Sequence, residues 1–159
     1  MKKPNPEYIK RIKELVNGSP YFSLLSMKIL DIGIGFSVVE INLDQKHLQP
    51  FGLVHGGAFA SIIDAAAFWA FFYEIEDQNT GATSVDLKLN YLSPATSGKL
   101  IAKGRQIKHG RTLGYAEAHV TNESSKILAH GTSTLMIIPG KGLTAEPPLP
   151  AKFLEKQIK

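Results

Sequence analysis

The most constraining stretch of the chain is an apolar segment, residues 58–72, that contains one carboxylate. Its residues are almost all Ala, Phe, Ile and Trp, interrupted only by Ser61 and Asp64. A helix that is apolar on every face must be buried. The run is shorter than the roughly 18 to 20 apolar residues of a membrane span. It therefore predicts a core helix with the acid Asp64 inside it.

The helix is expected to begin at a glycine pair, which makes its first turn a candidate oxyanion hole. Gly56 and Gly57 follow His55, and glycine lets another group approach the free N–H groups of a helix start closely. These N–H groups and the helix dipole attract negative charge, such as the oxygen of a carbonyl under attack. The alternative interpretation is a tight helix entry without chemistry.

Asp64 lies too far along the helix to share one carbonyl with Gly57. Seven residues separate the two, a rise of roughly 10 Å. Burying an ionised carboxylate among apolar residues costs free energy, so such a group is usually paired with another polar group or has a functional role. If Asp64 attacks that carbonyl or activates a water, it must come from a second subunit whose helix runs antiparallel. This geometry predicts a two-fold dimer.

Length and composition are those of a single soluble globular domain spanning residues 1–159. The chain is 43% hydrophobic and 20% charged and has no cysteine, which excludes disulfides, thiolate metal sites and a cysteine nucleophile. Its five histidines contain no i, i+4 pair, so we expect no metal, and we expect no other cofactor.

The N-terminus lacks a signal-peptide apolar run, which favours the cytoplasm and no membrane partner. A net charge of +4 is too diffuse to indicate nucleic acid.

The remaining pattern predicts one amphipathic helix followed by strands. A helix over residues 5–16 belongs to an N-terminal extension, residues 1–19. Strands are predicted over residues 27–32, 36–43, 83–92, 100–108, 113–121 and 127–138. Together these elements predict an α+β fold, a curved antiparallel sheet of five or six strands around one long central helix.

Two further expectations concern single segments. In the strand over residues 83–92, Val85, Leu87 and Leu89 are expected on one face and Ser84 on the other. The proline-containing tail, residues 140–159, is expected to be a surface extension. Three apolar residues near its end either dock on a neighbour or fray with the chain end: Phe153, Leu154 and Ile158.

The segment QPFGLVHGGAFASIIDAAAFWA, followed by SVDLKLNYLSPA, resembles the hotdog-fold acyl-CoA thioesterases of the PaaI-like group. The loop residue, the His-Gly-Gly turn, the aspartate and the later Ser-Val-Asp strand occur in the order typical of that group. The resemblance spans roughly residues 20–138. It implies a hotdog homodimer or homotetramer with sites at the subunit interface, and hydrolysis of an acyl-CoA to a carboxylic acid and CoA.

The resemblance implies roles for five catalytic candidates. The Gly57 N–H would polarise the thioester carbonyl, with His55 shaping the turn. Asp64 of the facing subunit would be the general base or the nucleophile. Gln49 would bind the attacking water or the carbonyl, and Ser84 would help to place that water.

The resemblance also points to a site for CoA. Lys108, His109, Gly110 and Arg111 form a basic, glycine-containing turn like those that related enzymes use near the nucleotide. Arg111 would bind a phosphate through its guanidinium fork. The alternative is an ordinary basic hairpin.

The acyl pocket is expected along the central helix, and its occupant stays open. Candidate lining residues are Phe59, Ile63, Phe68 and Trp69, but a helix that is apolar all round does not indicate which of them face a pocket. Both aromatic and medium-chain aliphatic acyl groups remain possible.

Two other functions remain open at this point. A hotdog hydratase or dehydratase would use a catalytic histidine, for which the only candidate, His55, lacks the sequence context of those enzymes. A non-catalytic acyl-CoA-binding protein of this fold generally carries a DNA-binding segment, and the N-terminal helix is too short for a helix-turn-helix. Hydrolysis is therefore the favoured function.

Overall fold

The computed structural model describes residues 2–154, and its main feature is a six-stranded antiparallel sheet carrying one long helix. In this part of the chain the elements are, in order, β1 (Lys3–Pro4), α1 (Pro6–Asn17), α2 (Pro20–Leu24), β2 (Met27–Gly33), β3 (Phe36–Asn42), a 3-10 turn (Gln45–His47), α3 (Gly56–Phe72), β4 (Thr80–Tyr91), β5 (Lys99–His109), β6 (Leu113–Thr121), β7 (Ile127–Pro139) and β8 (Phe153–Leu154).

The sheet has the strand order β2-β3-β5-β6-β7-β4, with every neighbouring pair antiparallel. The predicted strands agree with the observed ones to within three residues at each end. The expected α+β class, the curved sheet around a central helix and the N-terminal helix are confirmed. None of the helices described between residues 2 and 154 has the length and apolarity needed to cross a bilayer.

The central helix α3 lies close to the sheet because glycines face it. A Cβ at Gly104 on β5 would collide with the carbonyl oxygen of Ala66, and one at Gly114 on β6 would collide with the Phe71 ring. Ser37 Oγ on β3 also donates a hydrogen bond to the Ala66 carbonyl at 2.6 Å. The sheet thus covers one side of α3 and fixes both the distance of the helix from the sheet and its rotation about its own axis.

Strand β4 contains a β-bulge at Val85, which corrects one prediction. The register against β7 shifts between Ser84 and Asp86, so Val85 is the extra residue. Ser84 therefore lies on the helix-facing side with Leu87, while Val85 is 52% exposed. The predicted common face of Val85 and Leu87 is wrong, because an inserted residue reverses the alternation that the sequence pattern assumes.

The tail lies on the surface as predicted over residues 140–151, but its described end neither docks on a neighbouring molecule nor frays. Phe153 and Leu154 form β8, which pairs with β1 of the same chain. Lys152 is buried at 3% exposure. Its Nζ donates to the Phe72 carbonyl at 3.2 Å and to the carbonyl of Ile75. The segment thereby caps the C-terminal end of α3.

One residue of the tail prediction cannot be compared with the structure. Ile158 lies outside the described residues, so its expected docking or fraying stays a prediction.

Candidate active site

The N-terminus of α3 is capped by the side chain of His55. Its Nδ1 accepts the Gly57 N–H at 2.8 Å, and its backbone is extended as in other N-caps. In the neutral imidazole this bond leaves the proton on Nε2. The predicted helix start at the glycine pair is confirmed. Because the Gly57 N–H already has a partner, a carbonyl oxygen bound there must share this N–H with the imidazole or displace it.

The loop before α3 presents the side-chain amide of Gln49. The Gln49 side-chain oxygen accepts the backbone N–H of Phe51, and its backbone N–H donates to the Leu53 carbonyl at 2.8 Å. With the amide oxygen engaged in the turn, the NH2 group is the end of this side chain that can donate to a ligand.

The loop is held in place by a buried histidine that the sequence pattern did not single out. His47 is 2% exposed, and its Nδ1 accepts the Asp44 N–H at 2.9 Å. Its Nε2 therefore carries the proton and donates to the Leu25 carbonyl at 2.7 Å. The His47 carbonyl in turn accepts the His55 N–H at 2.8 Å. This histidine thus positions the entry to α3.

A cavity of about 440 Å³ opens beside the N-terminus of α3. Tyr91 covers part of it, with its hydroxyl donating to the Gly56 carbonyl at 3.3 Å and its ring edge-on to Phe59. The lining combines the amide of Gln49 with mostly apolar groups: Gln49, Leu53, Val54, Gly56, Phe59, Tyr91, Leu92, Ser93 and Pro94. This cavity, the entry cavity, brings the predicted Gln49 to the glycine turn.

Asp64 lies in the wall of a second cavity, one turn further along α3. Ser84 Oγ donates to Asp64 Oδ1 at 2.6 Å, a charge-assisted bond that orients the carboxylate. Oδ2 is then the oxygen that can accept a proton from another group. This second cavity, the acid cavity, has a volume of about 360 Å³ and is lined by Tyr21, Phe22, Met27, Ala60, Ser61, Asp64, Ala65, Phe68, Trp69 and Leu87.

The expected acyl-pocket residues divide between the two cavities and the core. Phe59 lines the entry cavity, whereas Phe68 and Trp69 line the acid cavity. Ile63 is fully buried and packs against Gly131 on the sheet. It belongs to the core, so its expected place in a pocket is wrong.

The basic turn expected to bind CoA is the β5–β6 hairpin at the other end of α3. It is closed by the Gly110 N–H, which donates to the Leu113 carbonyl at 2.9 Å. His109 stacks on Phe71 with ring centroids 4.8 Å apart, and Lys108 and Arg111 are exposed.

The distance from this hairpin to Gly57 is set by α3. Phe71 lies 14 residues after Gly57, a rise of roughly 21 Å. Within one chain the hairpin is therefore near the Asp64 half of the helix and far from the glycine turn.

The family of the chain is identified by its similarity to known proteins. Residues 51–129 match the family model described as the thioesterase superfamily. The chain belongs to the thioesterase superfamily. It is 28% identical over 99 residues to acyl-coenzyme A thioesterase 13 of Mus musculus, covering 61% of this chain and 69% of that relative.

Solved structures agree on the fold of this thioesterase. A thioesterase from Haemophilus influenzae superposes with a TM-score of 0.77 at 23% identity, covering 87% of this chain and 96% of that one. The PaaI protein of E. coli superposes with a TM-score of 0.73 at 21% identity, covering 83% and 94%. These structures confirm the hotdog fold. The family match and the relatives that resemble this chain identify the protein as a thioester hydrolase.

In one chain the thioesterase assembles two half-sites. Gln49 and Gly56 line the entry cavity, and Gly57 with its cap His55 directly adjoins Gly56. Asp64 lines the acid cavity and accepts the hydrogen bond of Ser84. Tyr21, Ser61 and Tyr91 were missed by the sequence reasoning. Tyr91 is the last residue of β4, the strand that contains the Ser-Val-Asp sequence. Tyr21 lies 40 residues before Ser61, and no local pattern joins these two.

Proposed function

We propose that this thioesterase hydrolyses an acyl-CoA at a site shared between two copies of the chain. The name of the mouse relative supports the substrate class. The spacing of the candidate groups supports the shared site, because Gly57 lies seven residues before Asp64 on α3, a rise of roughly 10 Å, and does not line the cavity that contains Asp64. An antiparallel α3 from a second copy would set Asp64 of the partner subunit opposite Gly57.

In this proposal the N-terminus of α3 binds the developing oxyanion. The Gly57 N–H and the Gln49 NH2 donate to the carbonyl oxygen of the thioester. In the ground state the Gly57 N–H is shared with His55 Nδ1, and it shifts towards the carbonyl oxygen as negative charge grows there. The bond is thus strongest in the transition state, which is the condition for catalysis.

Asp64 of the partner subunit acts as the general base. Its Oδ2 takes a proton from a water whose oxygen bonds to the carbonyl carbon, while Ser84 keeps Oδ1 engaged. The tetrahedral intermediate collapses, the C–S bond breaks, and the sulfur of CoA leaves with the proton held by Asp64. The observation that carries this assignment is the 2.6 Å bond from Ser84 to Asp64 in the wall of an apolar cavity.

The CoA nucleotide is assigned to the basic hairpin of the subunit that supplies Asp64. That hairpin lies near the C-terminal end of the same α3, beyond the aspartate. Lys108 and Arg111 project there as exposed cations suited to phosphate groups. The entry cavity of the other subunit then holds the pantetheine arm next to Gly57.

The decisive experiment compares two isosteric substitutions. Asp64→Asn removes the proton acceptor, whereas Asp86→Asn alters an exposed carboxylate on the same β4 strand that carries Ser84. CoA release is followed with a thiol reagent over a panel of acyl-CoAs. We expect kcat/KM to fall by about 100-fold or more for Asp64→Asn and to change by less than about twofold for Asp86→Asn.

Three outcomes would contradict the proposal. Equal turnover by wild type and Asp64→Asn removes the aspartate from the mechanism. Loss of the conjugated double bond of an enoyl-CoA without CoA release indicates a hydratase. Tight binding of acyl-CoA by the wild type without any release of CoA indicates a binding protein.

A further inference from the structure

The acid cavity contains a polar pair that the proposed mechanism does not use. Apart from the indole of Trp69, the polar groups in its wall come from Asp64, Ser61 and Tyr21. Ser61 lies one turn before Asp64 on α3, and Tyr21 reaches it from α2, with its Oη 2.7 Å from Ser61 Oγ. Tyr21 is 55% exposed, so a ligand in the cavity can reach its hydroxyl.

A second hydrogen bond determines which of the two hydroxyl groups, Ser61 or Tyr21, donates its proton to the other. Ser61 Oγ donates to the Gly57 carbonyl at 2.8 Å, and a serine hydroxyl has a single proton to give. The bond between Ser61 and Tyr21 must then be donated by the tyrosine. Tyr21 Oη keeps its lone pairs and has no proton to offer, so it faces the cavity as an acceptor only.

An acceptor-only group selects for a donor on the ligand. A hydroxyl on the acyl group satisfies Tyr21 Oη, whereas an ether oxygen or a carboxylate brings one acceptor against another. The remaining wall offers apolar contacts through Phe22, Phe68 and Trp69. We propose that Tyr21 is a specificity-determining residue that favours acyl groups bearing a hydroxyl over the same groups without it. This inference rests on the proposed function.

The position of the pair limits where that hydroxyl lies. Ser61 and Asp64 are three residues apart, which places their Cβ atoms about 5 to 6 Å from each other on one helix face. Tyr21 Oη is therefore within a few carbon–carbon bonds of the carbonyl that Asp64 serves. Suitable probes are hexanoyl-CoA, 3-hydroxyhexanoyl-CoA, 6-hydroxyhexanoyl-CoA and, as an acceptor-only analogue, 6-methoxyhexanoyl-CoA.

The test measures kcat/KM for these four thioesters with wild type and two variants. For wild type we expect at least one hydroxylated substrate to exceed hexanoyl-CoA by about fivefold, the value of one neutral hydrogen bond. Tyr21→Phe deletes only the phenol oxygen and should bring the ratio of kcat/KM between the hydroxylated substrate and hexanoyl-CoA to about one. Ser61→Ala frees the tyrosine proton, so the methoxy substrate should gain relative to hexanoyl-CoA.

The results that would contradict this proposal differ from those that would contradict the proposed function. A ratio of kcat/KM between the hydroxylated substrate and hexanoyl-CoA that is the same in wild type and Tyr21→Phe overturns the proposal about Tyr21. If wild type releases CoA from none of the four substrates and from no other acyl-CoA, the proposed function has failed instead.

Discussion

The two edges of the sheet both carry a β-bulge, at Leu30 in β2 and at Val85 in β4, but the chain treats them differently. The β2 edge is covered by α1. The Asn17 side chain accepts the Ile29 N–H at 2.7 Å and donates to the Ile29 carbonyl at 3.2 Å, and Lys13 Nζ donates to the Leu30 carbonyl at 2.6 Å. The helix thus supplies the hydrogen bonds that a further strand would make.

The β4 edge has no such cover from the residues between 2 and 154. Its bulge turns Ser84 towards Asp64 and leaves Val85 exposed. An open edge pairs readily with another chain, and across a two-fold axis β4 would pair with itself. The comparison teaches that one edge of the sheet is covered by a helix of the same chain, whereas the edge beside Asp64, the proposed general base, is left open.

The largest expected effect tests whether the two edges differ in their tendency to pair, by placing the same charge at both bulges. Across a two-fold axis a lysine at position 85 faces its own copy, so Val85→Lys should disfavour pairing. We expect a shift from dimer to monomer by sedimentation and a loss of turnover of about 100-fold or more, because the proposed site needs both copies. Leu30→Lys is the matched control, since Leu30 is 42% exposed and Val85 52%. A dimer that survives Val85→Lys, or dissociates with Leu30→Lys, would reverse the assignment of the edges.

The next prediction concerns the buried Lys152, which packs against α1, the helix that covers the β2 edge. Lys152 Nζ lies 5.5 Å from the centroid of the Tyr8 ring on α1. Burial lowers the pKa of Lys152 from 10.5 to about 8, against a smaller opposing effect of Asp77. Burial also raises the pKa of Tyr73 to about 12 and raises that of Tyr8 further, with the Tyr8 value also raised by Tyr73. These tyrosines therefore affect stability only above about pH 10.

The sign of the effect follows from proton counting. Below pH 8 Lys152 is protonated in both the folded and the unfolded state, and the cost of the buried charge is fully present. Between pH 8 and 10.5 the folded state has released the proton and the unfolded state has not, so the free energy of unfolding rises with pH. We expect a rise of about 2 kcal/mol from pH 8 to 9.5.

Urea unfolding of matched variants measures this rise. Lys152→Met should abolish it, while Lys3→Met, an exposed lysine on the neighbouring strand β1, should keep it. If wild type and Lys152→Met have the same pH slope, the lysine is not the group responsible.

The smallest expected effect compares the same substitution at the two edges. Asn17→Leu leaves the Ile29 N–H and carbonyl without their side-chain partner and should lower the free energy of unfolding by about 1 kcal/mol. Asn90→Leu, on the exposed side of the open β4 edge, should change it by less than about 0.5 kcal/mol. Both are measured by chemical denaturation at one pH. Equal losses at the two positions would show that α1 does not seal its edge.

Much of the fold was predictable because its signals are local. The bounds of α3 follow from an apolar run with a glycine pair at its start, and its burial follows from the absence of a polar face. The strands alternate clearly enough to be located within three residues. The pairing of Asp64 with a second chain also comes from the sequence, because a helix sets the distance between two of its residues by their spacing alone, and it stays a prediction.

The sequence by itself therefore determined the elements, the family and the chemical types at the site, since each depends on neighbours within a few residues. Only the tertiary structure decided which groups meet. The bulge that turns Ser84 to Asp64, the return of Lys152 to the end of α3 and the pairing of Tyr21 with Ser61 join residues distant in sequence. Such contacts arise from the packing of whole elements, which no local periodicity encodes.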